Sequence, residues 1–179
     1  MPFTPVWDAV SSHFFTPAAL SRVVAMTQAA TQVESWWKQE LIGVLGQLKA
    51  SGAVTAWDRE VRTGQRKEKV DFSVEVPSAG GLVEVKTALC AVQKGTTWRL
   101  PMYVMAAKSG YILTDVLKLG ALQAGRRYEV VFAYAAPPVG DWQVVLADLR
   151  KKAPSLTVSL ARLDSSRAGE LSIGWLEVA

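Results

Sequence analysis

An alternation constrains this chain more than any other feature. From Val70 to Val76 an apolar side chain falls at every second position, with Asp71, Ser73 and Glu75 between them. A period of two belongs to a strand with one buried and one polar face. The next residues, Pro77 to Gly81, have turn chemistry. Leu82 to Thr87 then reads as the returning strand, so the two strands make a hairpin. Upstream, Val33, Trp37, Leu41, Val44, Leu45 and Leu48 fall on one face of a helix that runs to Lys49 and stops at Ser51-Gly52.

Other elements follow from the same signals. Pro2 to Phe15 is an arm or a short helix around Trp7 to His13, and Thr16-Pro17 has the residues of a helix start. Val54 to Val61 reads as a strand and Arg62 to Lys69 as a polar, basic loop. A helix is expected over Thr114 to Gln123, stopped by Gly125, then a strand over Tyr128 to Ala135 and a short helix over Asp141 to Leu149. Leu156 to Leu163 and Glu170 to Val178 read as final strands. The order is α-β-β-β-α-β with additions at both ends, an α/β (α+β) chain with a mixed sheet core flanked by helices. Residues 1–30 read as an N-terminal helical extension and 31–179 as the main domain.

Composition removes several function classes. The chain has 179 residues, one histidine (His13) and one cysteine (Cys90). One histidine all but excludes a histidine-based triad or a multi-histidine zinc site, and one cysteine excludes an intramolecular disulfide. Cys90 lies in the apolar run Ala88 to Val92 and reads as a core thiol. The first twenty residues hold no Lys or Arg and no long apolar run, so no secretory signal is expected. No stretch approaches the roughly 20 apolar residues of a membrane span, and a reducing, cytoplasmic setting is expected. The net charge of +4 permits a polyanionic partner without demanding one.

The chemistry concentrates at Asp71 and the triplet Glu84-Val85-Lys86. Residues two apart on a strand share a face, so Glu84 and Lys86 project together. The hairpin brings Asp71 opposite one of them, or one diagonal step away. Two carboxylates at this separation can share a hard cation such as Mg²⁺ or Mn²⁺, with the Val85 carbonyl as a further ligand. Such a metal polarises a phosphate and activates a water. Lys86 would orient that water or offset the developing charge. The plain alternative is a cross-strand ion pair with no chemistry attached.

The run Lys69-Val70-Asp71-Phe72, followed thirteen residues after Asp71 by Glu84-Val85-Lys86, resembles the signature of the PD-(D/E)xK nucleases. The resemblance spans roughly Thr31 to Ala135. It implies a restriction-endonuclease-like fold and metal-dependent hydrolysis of phosphodiester bonds, in DNA for most of the family. It also implies that Asp71 and Glu84 bind the metal and that Lys86 is the catalytic lysine. Val70 stands at the position of the name-giving proline. The family often adds an acid from the preceding helix, for which Glu34 and Glu40 are the candidates. Glu34 is favoured by its place at the margin of the apolar face, but Thr31-x-x-Glu34 also fits a capping box, which would favour Glu40. Asp115 suits the first turn of its helix electrostatically.

Arg62, Arg66, Lys67 and Lys69, with Arg59 nearby and Lys94 further on, form a basic path that could contact phosphates without reading sequence. The bland reading is a solvated turn. Trp36, Trp57 and Trp98 could stack on bases if exposed, whereas Trp37 belongs to the core. Beside an active nuclease, working as a homodimer or as a subunit of a larger assembly, two other readings stand. One is an inactive nuclease-fold subunit that binds nucleic acid or protein in a larger assembly. The other is an interaction module marked by an exposed apolar patch.

Overall fold

The structure is a computed structural model that describes every residue except 29–32, 64–68, 91, 94–95, 105–110, 123–124 and 168. The elements are α1 (Thr4–Phe14), α2 (Pro17–Gln28), α3 (Val33–Ala50), β1 (Ala56–Arg62), β2 (Lys69–Val76), β3 (Ala79–Leu89), β4 (Val92–Gln93), β5 (Thr96–Thr97), a 3-10 turn (Leu100–Val104), α4 (Ile112–Gly120), β6 (Arg126–Tyr134), α5 (Val139–Lys152), β7 (Val158–Ser165) and β8 (Leu171–Val178). The chain is mixed α/β, and six strands pair in the order β1-β2-β3-β6-β8-β7 in a mixed sheet. With the two-residue strands β4 and β5 and the 3-10 turn intervening between β3 and α4, the larger elements run α3-β1-β2-β3-α4-β6, the order of one helix, three strands, a helix and a strand. Among the described residues no helix is long and apolar enough to cross a membrane.

The chain divides into two compact units, and the division falls inside β3, after Val85. The first unit is Met1–Val85 with Ala124–Arg126, and α1 and α2 belong to it together with α3. Phe14 of α1 sits edge-on to Trp37 of α3 at 4.8 Å between ring centres. Thr16 caps α2 as expected, its hydroxyl accepting the Ala19 N–H at 3.3 Å. Gly52, at φ 79°, closes α3 in the left-handed region that glycine enters without penalty.

The β2–β3 turn is tighter than Pro77 to Gly81. Val76 pairs with Ala79, which leaves Pro77 and Ser78 as a two-residue loop. Gly80 and Gly81 lie in the strand instead. Packing explains the second glycine: a Cβ at Gly81 would lie 2.7 Å from Cζ of the buried Phe3.

The second unit is Lys86–Gln123 with Arg127–Ala179. Here α4 stops at Gly120, three residues short of the expected Gln123. Leu156 occupies the space a side chain at residue 120 would need. The Arg127 guanidinium takes the freed carbonyls of Leu119, Gly120 and Leu122 at 3.2, 3.4 and 2.6 Å. Helix α5 outruns its expected span at both ends, and Arg150, Lys151 and Lys152 in its last turn suit the negative end of the helix dipole.

Candidate functional site

The site begins where β2 and β3 stop pairing. Their register runs from Val76↔Ala79 to Phe72↔Val83, and one further step of the same register would set Asp71 across from Glu84. At that step a side chain replaces the backbone ladder. Asp71 Oδ2 accepts the Val85 N–H at 2.9 Å. The carboxylate is thus fixed against the middle of the Glu84-Val85-Lys86 triplet.

Helix α3 supplies the rest of the acidic cluster. Lys38 Nζ lies 2.8 Å from Asp71 Oδ1 and 3.2 Å from Glu34 Oε1. Glu34 and Lys38 are one helical turn apart, so they point the same way. Burial works against the Lys38 charge, but its hydrogen bond to Asp71 and the charges of Asp71 and Glu34 outweigh that, and its pKa is raised above the ordinary lysine value. Glu40 lies elsewhere. It bonds His13 Nε2 at 2.7 Å and Arg22 Nη1 at 3.4 Å, tying α3 to α1 and α2. Of the two helix acids it is therefore Glu34 that stands near Asp71. Thr31, the other half of the capping box, is outside the described residues.

The triplet itself is less exposed than a polar strand face would be. Glu84 is 3 % exposed and Lys86 6 %. The alternation holds in β2, where Val70, Phe72, Val74 and Val76 are buried and the residues between them are not. It fails in β3, which is buried without interruption from Gly81 to Lys86. β3 has a neighbouring strand on each edge, and its unbroken burial over this stretch means that both of its faces are covered. Charged side chains survive such burial only when paired or hydrogen-bonded.

Within the second unit, Lys86 Nζ meets Asp115 Oδ2 at 2.8 Å. Sequence reasoning read Asp115 only as a favourable charge at a helix start. The available signal was its place on the buried stripe of α4, beside Ile112, Val116 and Leu119. Glu129, wholly buried in β6 within the apolar run Tyr128 to Ala133, was also not singled out.

The basic path is only partly described. Arg66, Lys67 and Lys94 lie outside the described residues. Arg62 is exposed and pairs in register with Lys69, whose ammonium is 2.6 Å from Glu60. None of the three tryptophans considered for stacking is an open platform. Trp36, Trp57 and Trp98 are half-buried, with Trp36 packed on Phe14 and Trp37 and Trp98 on Tyr103. A cavity of about 270 Å³ lined by Ser73, Glu75, Gly81, Arg126 and neighbours sits towards the hairpin end and includes none of Asp71, Glu84 and Lys86.

The donors at Asp71, Glu84 and the Val85 carbonyl are all oxygen, which suits a hard divalent cation. Such an ion needs only one or two carboxylates and completes its shell with water and phosphate. Among the described residues no group of three or more His, Cys, Asp or Glu is placed to hold a metal. Any ion here would therefore rest on a sparse protein ligand set. Comparisons of the chain with protein-family models, with curated proteins and with solved structures find no match in any of the three.

Proposed function

We propose that the chain is a metal-dependent nuclease with a restriction-endonuclease-like core, hydrolysing phosphodiester bonds in DNA. The observation that carries this reading is the Asp71 carboxylate bonded to the Val85 N–H, between a buried Glu84 and a buried Lys86. Burying two ionic side chains in an interior strand is costly, and function is a common reason to retain them. The succession α3-β1-β2-β3-α4-β6 supports the same fold reading.

Asp71 and Glu84 would hold Mg²⁺ or Mn²⁺, with the Val85 carbonyl beside them. When bound, the ion supplies Lewis-acid polarisation of the phosphate and a more acidic water. Before an ion binds, Asp71 is held by the Val85 N–H and by Lys38, which also pairs with Glu34. Asp115 holds the Lys86 ammonium, which contributes positive charge where negative charge develops on phosphate oxygens. Arg62 and Lys69, at the exposed edge of the first unit, are the described candidates for phosphate contacts.

Two observations favour the second reading, a nuclease-like fold that binds without cutting. Lys38 already occupies one oxygen of Asp71, and no three-acid group stands ready for a metal among the described residues. The deciding experiment incubates the protein with plasmid, linear and single-stranded DNA in Mg²⁺, Mn²⁺ or chelator. Asp71→Ala and Lys86→Ala variants, checked for folding, run alongside. Metal-dependent cleavage lost in both variants supports the nuclease. DNA binding without cleavage, with no metal uptake by calorimetry, supports the binding subunit.

A further inference from the structure

We propose that Lys38 is the resident counter-cation of the acidic site, and that a divalent ion gains Asp71 only by displacing its ammonium; this rests on Asp71 and Glu84 being the metal ligands. Asp71 has two oxygens. Oδ2 is committed to the Val85 N–H at 2.9 Å, so Oδ1 is the oxygen left for a cation. Lys38 Nζ holds Oδ1 at 2.8 Å and reaches Glu34 at 3.2 Å. The ammonium therefore sits between Asp71 and Glu34, on the Asp71 oxygen that a metal shared with Glu84 would need. A metal on Oδ1 would meet Lys38 at a distance where like charges repel strongly.

The side chain has a way out. Lys38 is 32 % exposed, and its four-carbon stem is flexible. Swung into water, the ammonium leaves Oδ1 open and stays at the mouth of the acidic cluster. Glu34 acts in this scheme as the second anchor of Lys38. Weak metal affinity follows for the wild-type chain, because each binding event must break the Lys38–Asp71 pair.

The test measures Mn²⁺ binding to the full chain by titration calorimetry, with circular dichroism as the folding control. Lys38→Met keeps the stem and removes the charge, and should bind Mn²⁺ at least about tenfold tighter than wild type, an effect of roughly 1.4 kcal/mol or more. Lys38→Arg keeps a cation and should bind no tighter than wild type. Adding Asp71→Asn to Lys38→Met should abolish the gain. Equal or weaker binding by folded Lys38→Met, with wild type binding, overturns the displacement idea alone. Absence of Mn²⁺ binding in both overturns it together with the metal-dependent nuclease. A second measurement needs no variant: amine acetylation of wild type, read by mass spectrometry, should rise at Lys38 when Mn²⁺ is added. Unchanged or reduced labelling at saturating Mn²⁺ would also overturn the proposal.

Discussion

Lys86 and Asp115 form an ion pair 2.8 Å long with both side chains almost wholly out of water. Each charge justifies the burial of the other. Removing one partner takes from the buried survivor the opposite charge beside it, which costs about 3–5 kcal/mol. Removing both, with apolar side chains of similar volume, is often close to neutral. Urea denaturation should therefore find Lys86→Met and Asp115→Leu each strongly destabilised and the double variant largely recovered. Losses that simply add would show that the two charges are not coupled. Under the nuclease reading, the recovered double variant stays inactive, which separates stability from chemistry.

The second unit contains a tight aromatic contact. A Cβ at Gly174 of β8 would collide with the six-membered ring of Trp142 from α5, which is fully buried. Gly174→Ala should cost roughly 1–3 kcal/mol, the range for overpacking a filled core. Gly120 is as crowded on paper, against Leu156. Leu156 is only half-buried and can rotate away, and alanine is the better helix former. Gly120→Ala should therefore cost clearly less. Paired melting curves decide this, and equal losses would mean the Trp142 ring can shift.

Cys90 should be a poor nucleophile in the folded chain. Burial, then the negative charge of Asp141, push its thiol up to about 12. The unfolded value is about 8.5. A raised thiol pKa favours the neutral form, so its contribution to stability is complete below the unfolded value and is lost as pH climbs from there towards 12. At pH 8.5 a thiol reagent should label the native protein on the order of a hundredfold more slowly than the urea-unfolded chain. Comparable rates would place Cys90 in water.

The hairpin, α3 and the succession of core elements are legible in the sequence because they follow from local periodicity. Asp71, Glu84 and Lys86 are legible for the same reason: two positions on one strand and one on its neighbour need only strand geometry. Lys38 is not. On a helix drawn alone it is one of two lysines, and only the placement of α3 over Asp71 gives it a role. Asp115 escaped for a related reason, since its position in the first turn of α4 already offered a sufficient explanation. The depth of burial of β3 was hidden by its alternation partner β2. What covers the two faces of a strand is a long-range property.

The two-residue loop at Pro77 and Ser78 sets a rule of parity for this chain. Facing positions across an even-numbered loop always differ by an odd number in sequence, as Phe72 and Val83 do. One residue inserted into either arm would slip the register and turn every later side chain to the opposite face. Two residues, one in each arm, would leave the facing pairs intact. The spacing between the aspartate and the triplet can thus grow or shrink only in twos, and length variants of the hairpin would reveal the odd-even pattern directly.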